Sequence, residues 1–427
     1  MATSAPDRLR LLFRAVPAVV LAAALALVAG GVSGLLVDTS GLVDSRPYTF
    51  GAGLLLAVGL YGSTFPMDLR ALRADLRGVV AAVTLGVVLK AALITGTMLL
   101  VLRRPESLVL GIAVAQIDPL SVAALGRKGR MSERARSLLQ AWASFDDPMT
   151  VLLTVYLAGY AHTAAGHEGA WQVAGSGGGG YLTGLGYNAL LLAGVLLVWW
   201  AGRRAVAAAP DTRTVRRLRG AGPVLLVAAM VALAAWQMLM LAVALAGLVV
   251  RSALLAKAVD RAVTGAYVIA FGALGLLLAR GVAWWPGLVL GAAAFGAQAV
   301  VALLVMPLFV RGLEHPDRIA LGLAQQNGIT AVLIALSLER DFPGTVATVG
   351  PAVIAVNVLH GAAQVLLGRA SRPRSPRTGP PARPELLAEV ARPSRYGADV
   401  ADGRPPAGSV RPANCSAPGR NAAGAEA

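Results

Sequence analysis

The sequence predicts an all-α polytopic membrane protein with about twelve transmembrane helices, and three observations lead there. Of its 427 residues, 56% are hydrophobic and only 14% charged, with a mean hydropathy of +0.67, a composition foreign to a soluble chain of this length. Apolar segments, each near the roughly 20 residues that cross about 30 Å of hydrocarbon, recur from residue 11 to about 369. The loops between them alternate between rich and poor in Lys and Arg. The formal charge of +16 would suggest nucleic acid in a soluble protein, but here it follows the loops, so no nucleic-acid partner is expected. The single cysteine, Cys415, excludes an internal disulfide, a thiolate metal cluster and Cys-x-x-Cys redox chemistry. His162, His167, His315 and His360 are too scattered for a metal cage. No hydrolase, kinase or redox constellation is present, so the sequence reads as a non-enzyme without a cofactor.

The elements follow in order. Residues 1–10 form a short cytoplasmic N-terminus with Arg8 and Arg10, and the first span runs 11–37; no small-x-small site ends its apolar core as a cleaved signal peptide would require. The second span, 48–66, carries Gly51, Gly53, Gly59 and Gly62, small residues that permit close helix contact. The third, 78–102, holds Lys90 twelve residues from either end, too deep to snorkel comfortably. The fourth, 106–126, is broken by Gln116-Ile117-Asp118-Pro119, where the proline removes a backbone donor. The fifth, 136–161, contains Ser144-Phe145-Asp146-Asp147-Pro148. Gly175 to Gly180 formally matches Gly-x-Gly-x-x-Gly, but without a strand before it this is a linker, and the sixth span follows at 180–201.

Ala221 to Val250 is one apolar run, divided at Trp236 and Gln237 into a seventh span, 221–235, and an eighth, 238–251. The ninth, tenth, eleventh and twelfth run 262–280, 284–310, 317–339 and 344–368. With both termini cytoplasmic, the inside loops hold Arg70, Arg73 and Arg77, the clusters Arg127 to Arg136 and Arg203 to Arg219, and Arg251, Lys257 and Arg261. The outside loops hold only Arg46, Arg103, Arg104, Arg280 and Arg340. Merging spans seven and eight would invert everything downstream. The expectation is a multi-pass cell-membrane protein whose transmembrane domain spans 11–369. From residue 370 the chain turns to Pro, Arg, Ala, Gly and Ser, a disordered basic cytoplasmic tail whose charge attracts anionic lipid.

Ionisable and strongly polar groups in mid-span are costly unless they face a partner or a hydrated cavity. Asp146 and Asp147 lie about ten residues in from Arg136, or roughly 15 Å at about 1.5 Å per residue, which is the bilayer centre. Gln116, Asp118 and Ser121 in the fourth span, and Gln325, Gln326, Asn327 and Thr330 in the eleventh, lie at similar depth. Broken helices at the midplane, one in each half of the chain, are what ion-coupled secondary transporters use to present half-helix dipoles and free carbonyls to an ion. Each residue also has a plainer reading. The two adjacent aspartates can form a cap or a salt-bridged pair, Asp118 can cap a half-helix, and the amides, with Gln298, Asn357, His360 and Gln364, can be interhelical hydrogen-bond glue. Lys90 is a natural counter-charge to an aspartate. Lys90, Asp118 and Asp146 are spaced by 28 residues each, and Gln298, Asn327 and Asn357 by 29 and 30. Inverted repeats of three helices give such intervals, and so do evenly sized hairpins.

The stretches from Gln116 to Leu125 and from Ser144 to Leu153 resemble the core of the monovalent cation:proton antiporter superfamily, the sodium/proton exchangers. There the fourth core helix typically reads Thr-Asp-Pro and the fifth Asn-Asp or Asp-Asp. Leu241 to Ser252 and Asn327 to Leu338 are similar to further family segments. The resemblance implies an inverted-repeat antiporter fold with two discontinuous crossing helices. It also implies exchange of a monovalent cation, Na⁺, K⁺ or Li⁺, for protons by alternating access in the bilayer, by a homodimer. By position, Asp147 matches the cation- and proton-binding aspartate, Asp146 its variable neighbour, which as Asp is similar to the electrogenic branch, and Asp118 the aspartate of the unwound helix. Asp147 and Asp146 are thus the implied ligands of a monovalent cation, with Gln116, Ser121, Thr150, Gln298, Gln325, Gln326, Asn327, Thr330 and Lys90 as supporting polar groups. Proton and cation competing for one carboxylate suffices for antiport. Three departures stand out: Gln298 falls where many members have Lys or Arg, Asn327 where many have Arg, and Ile117 where Thr is usual. Lys90 is the candidate for the missing positive charge. A non-transporting membrane sensor and an organic-anion transporter on a related fold are the alternatives.

Overall fold

Every regular element among the described residues of the computed structural model is a helix, as backbone groups in hydrocarbon require. The described residues are 18–39, 41–67, 76–104, 107–118, 131–164, 181–210, 212–310 and 312–370. They belong to one compact unit that ends at Ala370, and the expected basic tail lies outside them.

The first two helices are α1 (Ala18–Leu36) and α2 (Arg46–Thr64). Ser45 caps α2, accepting from the Tyr48 N–H, with Pro47 in the first turn where its missing donor costs nothing. The third predicted span is α3 (Leu76–Ala81), a π-helical turn (Ala82–Gly86) and α4 (Val87–Leu102). The fourth is helical as α5 (Ser107–Ala113) and unwinds through 114–118, and its remaining residues lie outside the described ones. The fifth is the long α6 (Glu133–Ala164), with Pro148 inside it, and the sixth is α7 (Tyr181–Ala208).

The apolar run from Ala221 does break in two. α8 (Arg213–Gln237) ends where Met238 enters the left-handed region at φ 56°, and α9 (Met240–Val249) follows. The expected break at Trp236 and Gln237 thus falls within two residues of the observed one. α10 (Ala253–Leu278) starts nine residues earlier than the predicted ninth span, because the Ser252 hydroxyl accepts from the Leu255 N–H and caps it. Lys257, Asp260 and Arg261, read as loop, are therefore helical. The tenth span is α11 (Trp284–Val300), a second π turn (Val301–Val305) and α12 (Met306–Phe309). The eleventh is interrupted: α13 (His315–Gly322), an extended stretch through 324–328, and α14 (Ile329–Leu338). The twelfth is α15 (Thr345–Ala370).

Seven of these helical stretches are long and apolar enough to cross a membrane: α1, α3–α4, α7, α8, α10, α11–α12 and α15. The other five predicted spans correspond to α2, the interrupted fourth and eleventh, the polar α6 and the ten-residue α9. Large apolar side chains such as Leu25, Leu35, Leu190 and Leu304 are well exposed, as lipid-facing groups are.

Glycine sets the closest helix contact. A Cβ at Gly30 of α1 would strike the Gly272 carbonyl of α10, and one at Gly275 would strike that of Leu27, so the two backbones touch. The glycines of α2 are mostly spent within the chain. Gly53 faces Ala235 and Met238, Gly59 faces Leu333 and Gly62 faces Val263; only Gly51 has open space.

Candidate functional site

Asp146 and Asp147 sit in the middle of α6 and both are fully buried. Adjacent positions on a helix diverge by about 100°, so the two carboxyl groups enter different surroundings.

Asp146 is engaged on one oxygen by two elements. Its Oδ2 pairs with Lys90 Nζ of α4 at 2.8 Å and accepts from the Ile117 N–H at 2.9 Å. Lys90 is fully buried, donates also to Gln298 Oε1 of α11 at 3.3 Å, and lies 5.4 Å from the centroid of the Trp142 ring. Gln298 donates in turn to the Leu321 carbonyl at the end of α13. The ammonium and carboxylate thus satisfy each other inside a bilayer where neither survives alone. Lys90 and Gln298 meet directly. The amide stands beside an ammonium supplied from the other half of the chain.

Asp147 meets no cation among the described residues. Its Oδ2 accepts from the Thr330 hydroxyl, in the first turn of α14, at 3.1 Å, and the Ser63 hydroxyl of α2 lies within its reach. The N-terminal end of α14, where unpaired N–H groups carry partial positive charge, lies beside this carboxyl group. Asp147 Oδ1, Asp146 Oδ1, Thr150 Oγ1 and both amide atoms of Gln116 are buried and take part in no hydrogen bond among the described residues. Carboxylate, hydroxyl and amide oxygens are the hard donors that suit an alkali cation.

The two unwound stretches cross and hold each other. The Asp118 N–H donates to the Gln326 carbonyl at 2.9 Å. The Gln325 amide donates to the Val114 and Gln116 carbonyls and to Asn327 Oδ1, and the Asn327 amide also reaches the Val114 carbonyl. From α15, Asn357 donates to the Asn327 carbonyl at 2.9 Å and His360 Nδ1 to the Leu323 carbonyl at 2.8 Å. Backbone groups freed by breaking a helix in hydrocarbon need such partners. Asp118 is half-buried, and any side chain at Gly328 would collide with its carboxyl group. It lies near enough to act electrostatically on both Asp147 and Tyr267 of α10.

Of the residues singled out in the sequence, Lys90, Gln116, Asp118, Asp146, Asp147, Thr150, Gln298, Gln325, Gln326, Asn327 and Thr330 gather around this crossing. Ser121 lies outside the described residues. Ile117, in place of the usual Thr, buries its side chain in an apolar cluster with Trp142 and Leu139 and contributes its N–H instead. Ser63 was missed, because nothing marks one hydroxyl within Gly62-Ser63-Thr64 except the proline three residues on. Asp317 was missed as well. Buried at the start of α13, it accepts from the N–H and the hydroxyl of Ser132, just before α6.

The sodium/hydrogen exchanger transmembrane family matches residues 6–363. Among solved structures, the sodium proton antiporter MjNhaP1 from Methanocaldococcus jannaschii, determined at pH 8, is similar in fold. The TM-score is 0.60 at 16% identity, covering 79% of this chain and 92% of that one. No curated protein matches the sequence.

Proposed function

Since the chain belongs to the sodium/hydrogen exchanger family, a family of membrane transporters, we propose that it exchanges a monovalent cation, Na⁺ or else K⁺ or Li⁺, for protons at Asp147. The observation that carries this reading is the unequal engagement of two adjacent carboxyl groups. Asp146 is held by Lys90 and the Ile117 N–H, whereas Asp147 accepts from the Thr330 hydroxyl and has a buried oxygen left over. A cation on Asp147 replaces a proton and a proton displaces the cation, so each drives the other's release. Thr150 Oγ1 and Gln116 Oε1, buried and without partners among the described residues, complete the oxygen set. Asp118 adds a second negative charge near the site, and the crossing amides Gln325 and Asn327 hold the two half-helices in one arrangement.

Alternating access then moves α4, α6, α11 and the two broken helices against the others, with the site staying near the midplane. The working protein is a cell-membrane homodimer with twelve crossings, both termini cytoplasmic and a basic tail beyond residue 370. Of the α2 glycines only Gly51 is left open to its interface, Gly53, Gly59 and Gly62 being packed within the chain.

The test is pH-dye fluorescence in proteoliposomes with an imposed proton gradient and additions of Na⁺, Li⁺ and K⁺. Cation-driven collapse of the gradient in the wild type, absent in Asp147→Asn, is the expected outcome. A reconstituted wild type deaf to all three cations would sink the reading in favour of a membrane sensor or an organic-anion transporter.

A further inference from the structure

Between α7 and α8, on the side carrying the basic loops, lies a cavity of about 530 Å³. Three guanidinium groups, from Arg203, Arg219 and Arg251, line it, and among the described residues no carboxylate does. Each is engaged by neighbouring groups. Arg203 lies 5.7 Å from the Trp199 ring centroid, and Arg219 reaches the Val206 carbonyl at 3.4 Å. Arg251 donates to the Met67, Thr64 and Gly247 carbonyls. Neither Arg203 nor Arg219 has an ion pair among the described residues.

Arginines that merely mark the inside face of a membrane protein splay apart into water, where mutual repulsion is least. Arg203 and Arg219 are themselves exposed, yet with Arg251 they line one hollow whose wall also carries the apolar Val198, Pro223 and Leu226. That wall continues into side chains left open to lipid, Leu197, Val198 and Leu225, at 63%, 56% and 66% exposure. A soluble anion would satisfy the arginines and leave the apolar wall bare, and an acyl chain alone would do the reverse. A ligand with a phosphate at one end and hydrocarbon at the other meets both demands, since guanidinium forks match phosphate oxygens and basic pockets between transmembrane helices suit lipid headgroups.

We propose that this cavity binds an anionic phospholipid, its phosphate between Arg203 and Arg219 and an acyl chain along Val198 and Leu226. The site is remote in sequence from Asp147, and its test does not depend on transport.

The full chain is purified in detergent, mixed with phosphatidylglycerol or phosphatidylcholine, and the retained lipid is counted by native mass spectrometry. Wild type should retain phosphatidylglycerol in preference to phosphatidylcholine. Arg203→Gln and Arg219→Gln should each weaken retention about fivefold. Arg204→Gln, which removes the same charge from a side chain stacked on Trp200 outside the cavity, should change nothing. Gly222→Leu provides an arm that keeps every charge: Gly222 lines the cavity and a Cβ there meets nothing within 4 Å, so a larger side chain there takes up space in the hollow and should expel the lipid. Equal retention of phosphatidylcholine overturns the proposal, as does retention unchanged in Gly222→Leu. Full displacement by glycerol phosphate or inorganic phosphate also overturns it, and would assign the cavity to a soluble anion.

Discussion

Lys90 shows what a buried charge demands of its neighbours. With Lys90 and Asp146 both at 0% side-chain exposure, Lys90→Met strands a carboxylate in the protein interior. The expected cost is about 3–5 kcal/mol, read as a loss of thermal stability in detergent, and the double variant Lys90→Met/Asp146→Asn should recover most of it. A single variant as stable as wild type would mean that Asp146 is not ionised. The same pair bears on stoichiometry. If Asp146 stays bound to Lys90 through the cycle, only Asp147 exchanges its proton, so transport should be one-for-one and insensitive to a valinomycin-set membrane potential. A reversal point that moves with potential would show a second proton carried by the pair, in line with the electrogenic branch that the Asp-Asp motif resembles. At this scale the sequence was informative where a residue was out of place. Lys90, the adjacent aspartates and the amide run each announced themselves by polarity in an apolar context. Ser63 did not, since a hydroxyl satisfies itself on its own helix, here at the Leu60 carbonyl, and so costs nothing to leave in any span.

Helix packing is governed by the smallest residues. Gly275→Ala puts a methyl group against the Leu27 backbone carbonyl, which has no rotamer to escape through. Overpacking of this kind costs about 1–3 kcal/mol, and a stability loss in that range by thermal denaturation is expected; Gly51→Ala, with open space, should be silent and serves as the control. The elements themselves were legible from apolar length, including the break that divides α8 from α9. Their ends were less so. α10 begins in a charged segment because Ser252 caps it, and hydropathy does not register a cap. The interruption of the eleventh span was marked by Gln325 to Gly328, while the way it is stabilised, by Asn357 and His360 from α15, depends on a contact over 30 residues or more that no local pattern encodes.

At the scale of the whole molecule, the claim most open to disproof is orientation. Replacing the one cysteine, Cys415→Ser, clears the background for single-site labelling in intact cells. Arg103→Cys, after α4, should react with an impermeant maleimide from outside, and Glu133→Cys, at the start of α6, only after the membrane is opened. Labelling of both from one side would rule out the alternation of loops that places twelve crossings. The overall architecture also has a phase. The π turns at Ala82–Gly86 and Val301–Val305 each carry one more residue than an α-turn would, ahead of Lys90 in one helix and just after Gln298 in the other. That extra residue turns the rest of the helix by about 100°. The meeting of Lys90 with Asp146 therefore depends on a count of residues some way off, as a dial depends on where it is clamped. In such a chain a lost residue at Thr84 does more harm than any exchange of its side chain, and the aim of the site is kept by arithmetic along the backbone as much as by chemistry at the centre.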